Sequence, residues 1–415
     1  MAVTAGNLAS PGSIAYLLKR VYSPRDVENA VYKDNPALAL LPKAGGFTGE
    51  SHVHAIRYRD QLGRSPDFAT ALSRGQDSTA GVTKGVQFLV DRVKNYQLYT
   101  LETEAILAGR DDKGSLLRTL TTEVDSALNN LGRDMGIAIY GAGYGELGQV
   151  TNVASTVFTV GEAVTNFEVG MVVVPSNGST VSAALRSNNG STITVVDRDA
   201  GTITVSSNAD TVTTGDWLFI KGDRGTGASP TKLKIAGFEA WNPQTAPVLS
   251  SDSFFNVDRG VDPTRLAGLR LDISALTPEE GLVTALHRLA REGGRPSHVF
   301  MNFQDSKNIH LALGSKAVTE YMSVGDIGFS TIRITGPKGD VRIVPDQNAP
   351  VAIGRIVTMD TWQLKHLGDL FNTLDMDGSS LSREYNADRF EGRVAFYGNM
   401  VCYAPHANMR VILPS

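Results

Sequence analysis

The chain has 415 residues, 41% of them hydrophobic, which is enough for two or three hydrophobic cores. Its 39 basic and 43 acidic residues nearly cancel, so the composition provides no basic surface for gripping nucleic acid. The single cysteine, Cys402, excludes an internal disulfide and a zinc site built on cysteines. The sequence shows neither a secretion signal nor an apolar run of about 18 residues, so we expect neither export nor membrane insertion.

The first 43 residues predict an extended arm. Prolines at positions 11, 24, 36 and 42 interrupt it, and it contains one short helical pattern at 14–21. Such a segment cannot make a core of its own. We therefore expect the arm to become ordered only by lying across something else.

Two strand-like runs follow, at 53–59 and 82–92, and they predict one long hairpin. The residues between the runs, 60–81, are polar and contain glycine, and we call them the tip. A two-stranded hairpin is only marginally stable in water. Its apolar face therefore needs a partner, which is either the rest of this chain or a neighbouring subunit.

A helical pattern at 100–108 precedes a single long amphipathic helix predicted at 115–140. Apolar residues recur every three or four positions in that helix, and Gly141 is placed to end it. At about 1.5 Å per residue the helix would be close to 40 Å long. This length suits the backbone of a flat subunit.

After the long helix the composition changes to Thr, Val, Ser and Gly, which predicts a compact all-β insertion that we call the β module (150–230). Two Asn-Gly pairs, at Asn177 and Asn189, are typical of tight hairpins, and we interpret them as turns rather than glycan acceptors. The predicted strands are 156–160, 167–174, 179–185, 191–196, 201–206 and 216–221.

The remaining sequence predicts a small α/β lobe and a strand-rich end. A strand at 232–241 and a loop at 252–263 come first. Helices at 277–291 and 305–313 alternate with strands at 297–301, 331–335 and 340–344. In the final segment, 352–415, the clearest strands are 394–403 and 409–413.

Three short motifs resemble known sites but lack the context those sites need. Gly143, Gly145 and Gly148 spell the dinucleotide fingerprint, yet they follow a helix and precede a strand, the reverse of the order that binds a pyrophosphate. We interpret them as a junction into the β module. No Ser-hydrolase, zinc-protease or phosphate-loop motif occurs, and the other histidines (287, 298, 310, 366 and 406) share no spacing.

The other two motifs concern metals. His52 and His54 lie two apart on a strand and could chelate a metal, but no acidic or third histidine partner is near in sequence, which favours a solvated hairpin face. Asp375, Asp377 and Gly378 resemble the start of a calcium loop, whose closing position holds Asn386 instead of Glu. We therefore predict no catalytic, cofactor-binding or metal-binding residues, no cofactor and no enzymatic activity.

The order of these parts is similar to that of the major capsid (coat) protein of tailed double-stranded DNA bacteriophages. The local patterns that carry the resemblance are NPALALLPK from Asn35, IAGFEAW from Ile235, FEGR from Phe390 and VCYAP from Val401. The resemblance covers nearly the whole chain. It implies an α+β fold with an arm, an extended hairpin, a long spine helix, a peripheral domain and an axial domain, here with an inserted all-β domain.

By this resemblance the domains are the arm, 1–45; the extended hairpin, 46–93; the peripheral domain, 94–149, 231–253 and 346–415; the inserted β domain, 150–230; and the axial domain, 254–345. The implied function is structural: self-assembly of hexamers and pentamers into the icosahedral head shell that encloses packaged DNA. Implied partners are portal and scaffolding proteins and a decoration or cement protein, with assembly in the host cytoplasm and final location in the virion. Alternatives are another self-assembling phage part, from a tail or baseplate, and an oxidoreductase that uses Gly143–Gly148.

Overall fold

The computed structural model describes residues 35–47, 49–77, 81–103, 113–178, 185–186, 189–208, 211–224, 232–313, 318–324, 327–373 and 381–414. Most of the predicted arm, with its helical pattern at 14–21, therefore lies outside the described residues. The α-helices within these ranges are α1 Pro36–Leu40, α2 Phe68–Gln76, α3 Lys113–Tyr140, α4 Phe238–Trp241, α5 Pro263–Ala267, α6 Pro278–Arg291 and α7 Phe303–Leu313.

The strands of the described ranges form a hairpin and three larger sheets. In chain order they are β1 Lys43–Ala44, β2 Ser51–Arg59, β3 Lys84–Asp91, β4 Val93–Glu102, β5 Glu146–Gln149, β6 Asn152–Ala154, β7 Val157–Thr159, β8 Val172–Ser176, β9 Ser191–Asp197, β10 Thr202–Val205, β11 Trp217–Ile220, β12 Leu269–Asp272, β13 His298–Met301, β14 Val318–Val324, β15 Ile327–Gly336, β16 Gly339–Pro345, β17 Ile353–Val357, β18 Trp362–His366, β19 Asn372–Thr373, β20 Leu381–Arg383, β21 Arg389–Cys402 and β22 Met409–Ile412. This mixture of segregated helices and sheets confirms the predicted α+β class.

The long helix and the hairpin are confirmed. Helix α3 has 28 residues, about 42 Å at 1.5 Å per residue, and ends one residue before Gly141. Strands β2 and β3 pair antiparallel, with Ser51 opposite Asp91 and Ile56 opposite Val86. The structure also chooses between the two partners left open for the hairpin, because Phe88 and Val90 are buried in this chain's own core.

That core lies between α3 and a sheet with strand order β1-β18-β21-β19, in which β4 and β20 also pair with β21. Leu128, Leu131 and Met135 of α3 pack there with Phe396 and Met400 of β21. The apolar stripe of the helix therefore covers one face of this sheet, as the periodicity predicts.

The helix predicted at 100–108 is wrong for its first residues, and 104–112 lie outside the described residues. Val93–Glu102 is strand β4, which pairs antiparallel with β21 from Val93 opposite Gly398 to Glu102 opposite Arg389. Tyr99 and Leu101 are buried while Leu98 and Thr100 are exposed, a period of two. Tertiary pairing therefore overrides a helical pattern that was short and ambiguous.

The end of the predicted arm packs within its own subunit. Pro36, Ala37, Leu38 and Ala39 in α1 are buried, and β1 pairs in parallel with β18. The buried Asp346 carboxylate accepts a hydrogen bond from the Ala37 backbone N–H at 3.2 Å. The expectation that the whole arm depends on an external surface is therefore wrong from Asn35 onwards, because its apolar run joins the main core.

The segment after the long helix forms a sheet of order β5-β11-β8-β9-β10-β7-β6 with a hydrophobic core of its own. Phe158, Phe167, Ile193, Ile203 and Leu218 are its largest members that are almost fully buried. Five of the six strands predicted for the β module are present. Most of the remaining one, predicted at 179–185, lies outside the described residues. The sheet begins earlier than residue 150, since Gln149 of β5 pairs with Trp217 of β11.

The predicted α/β lobe is a mixed sheet of order β12-β22-β17-β13-β16-β15-β14 with helices α6 and α7. The strand β13 alternates: Val299 and Met301 face the core that holds the two helices, and Phe300 faces the core of α3. The sheet also recruits β17 and β22 from beyond residue 345. The domain boundaries assigned from the sequence remain a prediction.

The strand predicted at 232–241 is wrong. Its backbone N–H groups find irregular acceptors: Lys234 donates to the Gly143 carbonyl, Gly237 to the Gly141 carbonyl and Ala236 to Asn399 Oδ1. Gly237 lies so close to the end of α3 that a Cβ atom there would be 2.1 Å from the Ile139 carbonyl oxygen. The segment is therefore fitted against the helix end instead of joining a sheet, and it finishes in α4.

Candidate assembly surface

The base of the hairpin is attached to the rest of the chain. The Phe88 ring lies 5.3 Å from that of Trp241, between centroids, and the Leu89 N–H donates to the Phe255 carbonyl at 3.1 Å. Asn399 Nδ2 donates to the Asp91 carbonyl at 2.7 Å. These contacts position the hairpin and leave its tip projecting from a fixed base.

His52 and His54 are on the face of β2 that is turned towards the chain, so the predicted solvated face is wrong for His54. Its ring lies 4.4 Å from that of Tyr403 in an edge-on arrangement. Burial, reinforced by the nearby His52, lowers the pKa of His54 to about 4. In the described ranges no group of three or more His, Cys, Asp or Glu side chains is placed to hold a metal ion.

The tip contains a helix that the sequence analysis missed. Asp67 caps α2, with Oδ2 accepting from the Thr70 backbone N–H at 2.8 Å and from Thr70 Oγ1 at 2.7 Å. The signal was available, because an Asp stands immediately before a run with apolar residues at 68, 71 and 72. The sequence analysis described this stretch only as a polar, glycine-containing tip and assigned no helix to it.

None of the nine residues of α2 is buried. Phe68 is 79% exposed, and Leu72 and Leu62 are 45% and 50% exposed. The tip nevertheless has a defined shape: Arg74 Nη1 donates to the Arg64 carbonyl at 3.0 Å and the Leu62 N–H donates to the Gly81 carbonyl at 3.1 Å. It is a folded element that presents apolar side chains to the surroundings.

Gly143 and Gly145 lie between α3 and β5, and Gly148 lies within β5, at the junction that we predicted. Gly143 and Gly145 have φ of +94° and +82°, a region that favours glycine. A Cβ at Gly148 would be 2.7 Å from Ala163 Cβ, so this glycine allows β5 to pack closely. Each glycine therefore has a structural reason, and none begins a helix that could bind a pyrophosphate.

Charged side chains are concentrated around this junction. Lys234 Nζ lies 2.9 Å from Asp134 Oδ2 of α3 and 3.0 Å from Asp223 Oδ2 of the β module. Burial lowers the pKa of Lys234, but the two carboxylates outweigh it and the pKa is raised overall. Lys232 lies over the Phe254 ring, 3.7 Å from its centroid, and burial with the nearby Arg259 lowers its pKa to about 7.

Asp375, Asp377 and Gly378 lie outside the described residues. Cys402 is a free, buried thiol whose pKa is raised by burial. None of the described helices has the length and apolarity needed to cross a membrane.

No protein-family model matches the chain, and no curated protein matches its sequence. Among solved structures the chain is similar to the cyanophage A-1(L) capsid asymmetric unit, with a TM-score of 0.49, 9% identity, and 91% of this chain and 92% of that chain covered. It is also similar to a capsid of a native GTA particle, with a TM-score of 0.45, 7% identity and coverages of 93% and 91%. The satellite phage P4 procapsid gives a TM-score of 0.40, 10% identity and coverages of 94% and 99%.

Proposed function

We propose that this protein is the major capsid protein of a tailed double-stranded DNA bacteriophage. Copies of the chain associate as hexamers and pentamers and close into an icosahedral shell around packaged DNA. The function is structural, without catalysis or cofactor. The same proposal places the protein in the virion after assembly in the host cytoplasm, with portal, scaffolding and decoration proteins as partners and no specific contact with DNA.

The observation that carries the proposal is the tip of the hairpin. A helix with no buried residue and a phenylalanine that is 79% exposed is unusual on a protein that acts alone, since exposed apolar clusters mark sites of association. The base of the hairpin is fixed in the main core, so the tip is held away from it in a defined position. A second copy of the chain supplies the surface that the tip lacks.

The spine helix and the two-sided core suit the same role. Helix α3 packs along one sheet, and that core continues to the face of the axial sheet that includes Phe300. Subunits that tile a shell need this stiffness, because many similar contacts must add up to one closed curvature. Interfaces of this kind typically cover on the order of 1,000–2,000 Å² each.

Electron microscopy of negatively stained, concentrated protein tests the proposal. We expect closed particles, of mixed size when no scaffolding protein is present, for the natural sequence, and capsomers or monomers for the double variant Phe68→Ser, Leu72→Ser. Ser73→Ala, an exposed position on the same helix, is the matched control and should assemble normally. Tubes would indicate a tail component, and normal shells from the double variant would contradict the role given to the tip.

A further inference from the structure

A cleft with a volume of about 290 Å³ separates the spine helix from the β module. Asn130, Asp134 and Ile137 of α3 line one side of it, and Glu168 and Asp223 of the β module line the other. The lining mixes these charged and polar groups with apolar side chains, and Ile137 also packs against the hydrophobic core of the β module. The charged groups therefore act together with apolar packing in setting the relative orientation of the two parts.

Ion pairs cross this cleft at two points. Arg133 Nη1 of α3 lies 2.5 Å from Glu168 Oε1, and Lys234 Nζ joins Asp134 of α3 to Asp223 of the β module. Asn95 Nδ2 of β4 donates to Asp134 Oδ2 at 2.6 Å, which holds that carboxylate in place. Because Arg133 and Asp134 are consecutive, a single turn of α3 holds both connections, and we call this set of ion pairs the latch.

The chain that joins the two parts is rich in glycine. Between the last residue of α3 and the first of β5 stand Gly141, Gly143 and Gly145, two of them with positive φ. Residues that can absorb changes in φ and ψ are the usual site of hinges. The buried apolar contact beside them consists of Ala142, Tyr144, Val174 and Phe219, with the partly buried Leu185 and Trp217 packed against it.

We propose that the β module rotates about the Gly143–Gly145 segment relative to the spine helix, and that the latch holds it in one of its orientations. Partly buried ion pairs suit this task. The Lys234 side chain is 12% exposed and its two carboxylate partners are 27% and 28% exposed, so the pairs are shielded enough to bias the orientation and still reachable by salt.

The use of such a hinge rests on the proposed function. A single chain that occupies both hexamers and pentamers experiences more than one local geometry. A module that can be released and re-seated lets neighbouring copies meet without distorting the spine helix. The existence of the hinge, however, is a property of the separate subunit and can be measured without any shell.

Distance measurement between two spin labels tests the latch. Cys402 is the only cysteine of the chain and is buried, so Ser126→Cys on α3 and Val195→Cys in the β module provide the labelled positions. The labelled protein is kept dilute and unassembled and is mixed with unlabelled chain. The measured distances are then those between the two labels of one subunit. For the natural latch at low salt we expect one narrow distribution of distances.

Lys234→Met and Arg133→Met together should broaden the distribution and shift its mean, and raising the salt from about 0.05 M to about 1 M should do the same to the natural sequence. Lys221→Met is the matched control: its ammonium donates to the Asn189 carbonyl at 2.9 Å within the β module, and the distribution should stay unchanged. Circular dichroism verifies folding, and the salt series needs no variant. Distributions that coincide in all conditions would overturn the hinge, while the shells seen by microscopy would be unaffected.

Discussion

Glu146 carries a carboxylate into the junction between the spine helix and the β module. Its Oε1 accepts a hydrogen bond from the Ala142 backbone N–H, whereas Oε2 is buried and has no hydrogen-bond partner among the described residues. Burial raises its pKa from 4.5 to about 7. Asp346, enclosed by Tyr140, Ala37 and Asn348, likewise has its pKa raised by burial, to about 6.

A raised carboxyl pKa means that the folded chain binds a proton more tightly than the unfolded chain. The stabilisation is therefore complete below pH 4.5 and is lost as the pH rises through about 7. For Glu146 it contributes up to about 3 kcal/mol to the free energy of unfolding. Glu146→Gln keeps an acceptor for the Ala142 N–H and cannot ionise. We expect it to flatten the fall in unfolding free energy between these pH values, as measured by chemical denaturation.

The exposed carboxylate Glu162 is the control for this prediction. Glu162→Gln should leave the pH dependence of the unfolding free energy as it is in the natural sequence. Some slope will persist in Glu146→Gln, because Asp346 titrates in the same direction. A pH profile of Glu146→Gln that superimposes on that of the natural sequence would show that Glu146 is solvated.

At the scale of elements, the base of the hairpin packs in the core of its own subunit, whereas the tip helix has no buried residue. Removing residues 62–81 and joining Gln61 to Val82 should leave the melting temperature of the monomer nearly unchanged, because α2 buries none of its residues. Assembly should be strongly reduced, since the apolar contact of the tip is lost. Calorimetry of the monomer and sedimentation of the assembled material measure the two effects.

The part of the arm from Asn35 onwards packs in the subunit's own core. Deleting residues 1–30 leaves the buried α1 and its contact with Asp346 intact, so the monomer should melt as before. We expect the shell to dissociate at a lower denaturant concentration, because a proline-interrupted segment gains order only between subunits. Equal losses of stability in monomer and shell would show that the deleted residues serve the subunit itself.

The β module should fold when it is excised, provided that β5 is included. Leu147 is part of its core and Gln149 pairs with Trp217, so a fragment of residues 142–224 should be more stable than one of residues 150–227. Both fragments are small, and a domain of this size is marginal. Dispersed amide spectra and a melting temperature that is higher for the longer fragment would agree with this; two disordered spectra would show dependence on the host.

For the whole molecule, we expect the difficult step of assembly to be reaching the correct curvature of the shell. A closed shell depends on a small energetic bias among many similar contacts, so subunits that assemble without a guide reach the wrong curvature often. We expect the protein expressed alone to give mixed or aberrant particles. Co-expression with a scaffolding protein from the same genome should narrow the distribution of diameters in electron micrographs, and uniform shells without that protein would contradict the prediction.

Strong periodicity and turn chemistry decided much of this fold at the level of sequence. The long helix, the hairpin, five strands of the β module and the helix 278–291 are evident because each repeats its pattern over several turns or pairs. The glycines at 143, 145 and 148 were also interpreted correctly from their order, since a helix before and a strand after them exclude a pyrophosphate site.

Tertiary structure alone decided where short or ambiguous segments went. Residues 93–102 became a strand because β21 was there to pair with them. Residues 232–237 stayed irregular because the end of α3 and Asn399 supplied their acceptors. The ion pairs across the cleft join residues up to 100 positions apart, a distance that no local pattern reports. Packing between distant parts of the chain decides which face of the hairpin is covered and leaves its tip exposed. A periodic sequence pattern does not report such packing.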